Sequence, residues 1–252
     1  MAEQDTGLLV YGIVPSDVEP TADARGVGDP PAEVTVIEED GLAALVSPVP
    51  LDQPLGRPAD LAAYKELLDG TAQVAPVLPV RFGTVVTRPK AVTELLAGHH
   101  DAFLDELAEL EGLAQFVVHA RYVERAVISQ ILESNREAGQ LRDQIHGQPQ
   151  DAVRGQRIRL GEILSQAVEL RREQDTAHLV EALTETTVSH LVRPPSHEQD
   201  AAYVAFLVEL DREGEFEEAL RGVAEEWAGL ANVRLLGPLA AYDFVDQQRL
   251  RS

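Results

Sequence analysis

The chain has 252 residues, 43 of them acidic and 21 basic, for a net charge of −22, and it contains no cysteine. That charge argues against a protein that coats nucleic acid or docks on an anionic membrane, because both surfaces are held by cations. The missing cysteines exclude disulfides, thiolate metal sites, iron–sulfur clusters and a cysteine nucleophile.

Residues 7–14 (GLLVYGIV) are a short apolar run that predicts a buried strand. The Pro/Gly-rich residues 15–31 predict disorder or a surface excursion. Two apolar runs then flank Glu38-Glu39-Asp40-Gly41, and Asp-Gly in that setting predicts a β-hairpin. Residues 59–72 place Leu61, Tyr64, Lys65 and Leu68 on one face of a helix. Residues 76–86 (PVLPVRFGTVV) are rich in β-branched side chains, but Pro76 and Pro79 cannot donate to a ladder, which predicts an edge or irregular strand. Thr87 is the expected cap of the next helix, with Pro89 in its first turn. Val92, Leu96, His99, Phe103, Leu107 and Leu110 then recur at helical spacing and predict one continuous amphipathic helix.

A second unit opens with residues 116–122 (FVVHARY), a predicted strand. Val123, Val127, Ile131, Ser134, Ala138, Leu141 and Ile145 predict one helix with a near-heptad stripe, Ser134 being its weak point. Gly147-Gln148-Pro149 ends it, and a second helical stretch over residues 160–183 predicts a helical hairpin. Residues 186–193 and 201–210 read as strands around a turn at residues 194–197. Phe216, Leu220, Val223 and Trp227 mark another amphipathic helix with Trp227 in the core, and residues 232–236 are the last predicted strand. The order β-α(α)-β-β-α-β is that of a ferredoxin-like fold with an enlarged first helical segment. The expected fold class is therefore α+β in two domains. Residues 1–113 form an N-terminal mixed α+β domain, residues 114–236 a modified ferredoxin-like domain with an enlarged helical hairpin, and residues 237–252 a C-terminal tail. The longest clean apolar run, residues 201–208, falls short of the ~20 residues that span a membrane. The acidic N-terminus lacks the basic region of a secretory signal, so the expected location is cytoplasmic.

Nothing in the sequence carries a catalytic signature. Neither GxGxxG nor GxxxxGK[ST] appears, nor G-x-S-x-G, nor HExxH. Of seven histidines, His99 and His100 are adjacent and point apart on a helix, while His190 and His197 flank a turn without a third ligand. No enzyme activity, metal or cofactor is expected. Arg81-Phe82-Gly83-Thr84 is the most unusual short string. One reading makes Arg81 an anion or partner contact; the other, favoured in so acidic a chain, makes it a buried arginine paired bidentately with an acid and fixing an irregular strand.

The string Val77-Leu78-Pro79-Val80-Arg81-Phe82-Gly83-Thr84-Val85 resembles the LP-x-RFGT-V signature of the gas vesicle GvpF/GvpL family. Val10-Tyr11-Gly12-Ile13-Val14 opens the chain as members of that family do. The segment from Leu235 through Gly237, Pro238, Tyr242 and Phe244 is similar to its closing L-x-GP-x-PPY-x-F segment, and Ala201-Ala202-Tyr203-Val204 resembles its strand before the last helix. Here Ala240-Ala241 replace the usual prolines, Leu239 stands where Trp is common, and Tyr64-Lys65 stand where the family usually carries His-Glu.

The resemblance implies a non-catalytic accessory or minor structural protein of gas vesicle formation. It also implies partners, namely the shell protein and other gas vesicle accessory proteins, contacted during nucleation or assembly, and a location at the gas vesicle in the cytoplasm. The family-signature residues, as structural or partner-contact positions, are Leu78, Pro79, Arg81, Phe82, Gly83, Thr84, Gly237, Pro238, Tyr242 and Phe244. Two candidate partner surfaces follow. One is the irregular strand around residues 77–86; the other is the segment 237–245, which on this reading need not enter a sheet. The alternative function is a small-ligand sensor, because ferredoxin-like units often bind small molecules.

Overall fold

A computed structural model describes residues 6–21 and 24–245. The fold is mixed α+β with two antiparallel sheets. The chain divides into two compact units. The first gathers Met1–Phe116, Leu207–Asp211 and Gly237–Ser252; the second comprises Val117–Phe206 and Arg212–Leu236.

The first unit contains β1 (Thr6–Pro15), β2 (Thr35–Glu39), β3 (Leu42–Pro50), α1 (Pro58–Ala72), β4 (Leu78–Pro79), β5 (Val85–Val86), α2 (Pro89–Gly98) and α3 (His100–Glu109). Its sheet runs in the order β2-β3-β1-β4, and β5 also pairs with β1. The predicted hairpin turn is present, with Asp40 and Gly41 both at positive φ. One face of the sheet packs Leu9, Tyr11, Ala43 and Leu45 against Tyr64, Leu68 and Ala72 of α1. The other packs Val10, Ile13, Ala44 and Val46 against Val92 and Leu96 of α2 and Phe103 and Leu107 of α3. Burial on both faces is why β1 and β3 read as unbroken apolar runs and not as alternating strands.

The predicted helix around residues 88–110 is two helices. His99, at φ −127° and ψ 19°, separates α2 from α3. Gly98 before it is a poor helix former, yet the apolar stripe crosses the break, because Val92, Leu96, Phe103 and Leu107 all stay buried. Thr87 is not the cap: Arg88 holds the N-cap position without a side-chain bond, and Pro89 opens the helix as expected.

The second sheet is built from β6 (Leu113–Tyr122), β7 (Ser189–Val192), β8 (Asp200–Glu209) and β9 (Ala231–Leu239), in the order β7-β8-β6-β9. Between β6 and β7 lie α4 (Glu124–Ser134), α5 (Arg136–Ile145) and the 30-residue α6 (Arg154–Leu183); α7 (Glu213–Glu226) precedes β9. The single helix predicted over residues 123–145 breaks at Asn135. The Asn135 side chain accepts the Ala138 N–H at 3.0 Å and so caps α5. Next to it, the Ser134 hydroxyl bonds back to the Gln130 carbonyl at 2.8 Å. Trp227 ends α7 and is buried, as its stripe predicts. The last strand continues three residues beyond its predicted end, to Leu239. The segment 237–245 is thus not a free tail: Gly237, Pro238 and Leu239 are in β9, and Ala240, Ala241 and Val245 are buried.

Candidate functional site

The irregular strand of the first unit is one edge strand with three residues looped out. β4 and β5 lie along the same β1 strand, with Pro79 opposite Gly12 and Leu78 opposite Ile13, then Val85 opposite Leu9 and Val86 opposite Leu8. Between them the Val80 N–H donates to the Tyr11 carbonyl at 2.9 Å, and the Val10 N–H donates to the Thr84 carbonyl at 2.9 Å. Two adjacent residues of β1 therefore face Val80 and Thr84, and Arg81, Phe82 and Gly83 have no place in the ladder.

The loop is closed by Thr84. Its N–H and its hydroxyl both donate to the Arg81 carbonyl, at 3.1 and 2.8 Å. Gly83 takes φ +87°, a conformation that side chains with a Cβ rarely adopt. Phe82 folds back to meet the Tyr64 ring edge-on at 5.2 Å, and Tyr64 stacks on Tyr11 at 5.8 Å. The Tyr64 hydroxyl donates to the Val80 carbonyl. Leu78 and Pro79 are buried, while Arg81 and Gly83 are exposed. The expectation of a buried, paired Arg81 is thereby corrected: among the described residues its side chain makes no ion pair. The neighbours that hold this strand are Tyr64 and Thr84, through bonds to the main chain, so no acid is needed there.

The closing signature segment reaches the same unit. Gly237 sits at φ 152°, where an added Cβ would lie 2.5 Å from the Phe116 ring, and a cis peptide bond joins it to Pro238. The Ala240 N–H donates to Asp69 Oδ1 on α1 at 3.0 Å, and the Asp243 N–H donates to Gln115 Oε1 on β6 at 2.9 Å. On one sheet face Ala240 and Tyr242 join Val77, Phe82 and Tyr64. On the other Ala241, Phe244 and Val245 join Leu78 and Val80. Two segments more than 150 positions apart in sequence thus interleave in both hydrophobic clusters of this unit. Burial, then the nearby Asp69 charge, pushes the Tyr64 and Tyr242 phenols up from their ordinary range, so both stay neutral. Burial likewise raises the Asp69 carboxyl, partly offset by the Ala240 amide. The Arg81 side chain is exposed on its extruded loop.

A second polar centre, which sequence reasoning missed, lies in the other unit. Asp200 is buried, with His119 Nε2 at 2.8 Å and Arg121 Nε donating to it at 3.1 Å. Its other oxygen accepts from the Ser196 amide and hydroxyl at 2.7 and 2.8 Å and from the His197 amide at 2.9 Å. Burial alone would raise this carboxyl; the bonds from His119, Ser196 and His197 outweigh it and hold it at about 2. His197 therefore serves through its backbone, while the His190 ring lies 6.3 Å from Phe206. No group of three or more metal-ligating side chains occurs among the described residues.

The family model described as "Gas vesicle synthesis protein GvpL/GvpF" matches residues 7–246 of the chain. The chain belongs to the GvpL/GvpF family. A gas vesicle protein F of Streptomyces sp. (strain CB03234) is 32% identical over 241 residues, covering 94% of this chain and 98% of that protein. One from Microcystis aeruginosa (strain PCC 7806) is 24% identical over 242 residues, covering 94% and 97%. Among solved structures, GvpF from Anabaena sp. PCC7120 superimposes with a TM-score of 0.80 at 22% identity, covering 96% of this chain and 98% of that one. GvpF from Microcystis aeruginosa gives 0.75 at 22% identity, covering 95% and 99%. These likenesses show the GvpF fold. Membership gives the chain a gas vesicle role, and no helix among the described residues is long and apolar enough to cross a membrane.

Within the GvpL/GvpF signature, the geometry separates support from display. Leu78, Pro79 and Thr84 hold the edge strand to β1, Phe82, Tyr242 and Phe244 pack in the two apolar clusters, Gly237 and Pro238 lie in β9, and Arg81 and Gly83 are exposed. The exposure of Arg81 had one readable signal in the sequence. Residues 70–93, which contain the signature, are the longest run without an Asp or Glu in this acidic chain.

Proposed function

We propose that this chain is an accessory or minor structural protein of gas vesicle formation that binds the shell protein during nucleation or assembly, without catalysis of its own. The observation that carries this is the extruded Arg81-Phe82-Gly83 loop. It forgoes ladder pairing at a sheet edge, and an unpaired edge is a ready template for a partner. Family membership supplies the context of the partner, and the chain's place of action on this reading is the gas vesicle within the cytoplasm. The same reading keeps two domains, the second ferredoxin-like, in support of which stand the sheet order β7-β8-β6-β9 and the helices that follow β6 and β8.

The test is binding of the purified full-length chain to purified shell protein, measured at equilibrium. Saturable binding that weakens at least tenfold in Arg81→Ala, with an unchanged melting temperature, is expected. Absence of binding at any attainable concentration overturns the proposal.

The small-ligand reading has its own observation, a cleft of about 780 Å³ in the second unit lined by Tyr122, Val127, Ile128, Leu164, Val168 and Arg172. Its one arginine is already committed. Arg172 Nε donates to the Asp200 carbonyl, one terminal nitrogen to the Glu198 carbonyl and the other to the Glu169 carboxylate. The cleft thus lacks a free cationic anchor, which ranks this reading second. Native mass spectrometry of the protein purified from its own cells checks it, since a bound metabolite would reverse the ranking.

A further inference from the structure

We infer that the looped-out edge strand is a carboxylate-reading contact, and that its occupant is an acidic segment of a partner protein. The inference rests on the reading of the chain as a gas vesicle accessory protein and names the chemistry of what that protein grips.

The local charge around this strand opposes the global charge. The chain carries −22 overall, yet residues 70–93 hold three bases and no acid. Lys90 is occupied by Glu94 at 3.2 Å, one turn on in α2. Arg81 and Arg88 are exposed and make no side-chain ion pair among the described residues. Arg81 is in the extrusion, and Arg88 is the N-cap of α2 just past β5, four residues of chain beyond Thr84, or about 13 Å if extended. A guanidinium presents parallel N–H groups that match a carboxylate bidentately.

The surrounding charge selects the occupant. Long polyanions such as nucleic acid or an anionic lipid surface meet a net −22 over several Debye lengths and are repelled. A short segment with one or two carboxylates feels mainly the two arginines at close range. A second copy of this chain would bring another −22, so the partner is a different protein.

The experiment uses overlapping peptides that tile the shell protein and other gas vesicle accessory proteins. They are probed with the full-length chain and with Arg81→Glu, Arg88→Glu and Arg81→Lys. The wild type is expected to select peptides rich in Asp and Glu. Binding should weaken at least tenfold in each Glu variant, weaken less in Arg81→Lys, and fall as salt rises from 50 to 500 mM. A peptide with its acids changed to arginine should recover binding to Arg81→Glu, which loss of folding alone cannot produce. The inference is overturned if the selected peptides are not acidic, if both Glu variants bind as the wild type, or if the charge-swapped peptide recovers nothing. It is also overturned if duplex DNA, anionic vesicles or self-association detected by sedimentation shows the same Arg81 dependence in place of the peptides. Shell-protein binding that ignores Arg81 and Arg88 leaves the accessory role standing and removes this inference. Acidic peptides taken only from another accessory protein keep the inference and remove the shell protein as the partner. A chain that binds nothing removes both.

Discussion

Tyr64 on α1 donates its hydroxyl to the carbonyl of Val80, the last residue held in the ladder before the edge strand loops out. The bond crosses from the helix layer to the sheet edge and is buried. It gives a partner to a backbone acceptor that would otherwise sit in the apolar cluster formed by Tyr11, Val77 and Phe82. The Tyr64 side chain thereby does two things: its ring backs Phe82, and its hydroxyl fixes where the extrusion begins.

Removing only the hydroxyl tests this division. Tyr64→Phe keeps the ring contacts with Phe82 and Tyr11 but leaves the Val80 carbonyl buried and unbonded, at a cost of ~1–3 kcal/mol. Chemical denaturation should report that loss with an unchanged denaturant slope. Amide exchange at Thr84, whose N–H closes the loop, should quicken as well. A Tyr64→Phe variant as stable as the wild type would show that water satisfies Val80 and that the tyrosine is only packing.

Trp227 offers a control in the other unit. It is 5% exposed and ends α7, in the same stripe as the buried Phe216, Leu220 and Val223. Trp227→Ala should cost ~3–5 kcal/mol, the range for deleting a large buried aromatic. The native emission spectrum should be blue-shifted and poorly quenched by iodide, and a red-shifted, readily quenched spectrum would contradict this burial.

Much of the fold was legible because it rests on local pattern. The apolar runs of β1 and β3, the Asp40-Gly41 turn and the stripe of α7 each announce an element within a few residues, whereas of the face predicted for α1 only Tyr64 and Leu68 are buried and Leu61 and Lys65 are exposed. The helix breaks at His99 and Asn135 were not legible, because the apolar stripe keeps its phase across both. The extrusion of Arg81 was hidden for a different reason. It is set by which atoms of Val10 and Tyr11 pair with Val80 and Thr84, a register written some 70 residues away. Asp200 shows the same limit: in sequence it is one acid among 43, and its partners His119 and Ser196 come from other elements. The signature strings could be read, and the acid-free run of residues 70–93 was a signal for the exposure of Arg81, but the pairing that extrudes it was not.

The Asp200 centre should be visible as an acid-sensitive element. Its folded pKa, about 2, lies below the unfolded value near 3.8, so its stabilising contribution is fully present above pH ~4. As pH falls from ~4 toward ~2 the carboxyl takes up a proton in the unfolded state first, and that contribution is lost. Thermal melts from pH 6 down to pH 2 should therefore drop more steeply for the wild type than for Asp200→Asn. The variant should already be less stable at neutral pH, by ~1–3 kcal/mol, because several donors lose a charged acceptor. Parallel curves for the two proteins would remove Asp200 from the acid response.

The closing segment gives the test that bears most directly on where a partner can bind. Residues 238–245 contribute buried Ala240, Ala241 and Val245, and two backbone bonds tie them to Asp69 and Gln115. Deleting residues 238–252 should consequently unfold or severely destabilise the first unit, and the loss of shell binding that followed would say nothing about contact. A point change separates the two. At Gly237 an added Cβ would fall 2.5 Å from Phe116 Cδ1 and 2.9 Å from Cγ, and φ is 152°. Gly237→Ala should therefore cost ~1–3 kcal/mol, the usual penalty of forcing extra atoms into a packed site, and more if the backbone cannot relax from a conformation alanine avoids. Its melting temperature should fall while binding, measured well below that temperature, stays at the wild-type level, because the exposed guanidinium of Arg81 is untouched. Arg81→Ala should do the reverse, with stability within ~0.5 kcal/mol of wild type, as expected for an exposed side chain without an ion pair among the described residues, and binding lost. If Gly237→Ala abolishes binding at full folding, the closing segment is itself the contact surface and the extruded loop is not.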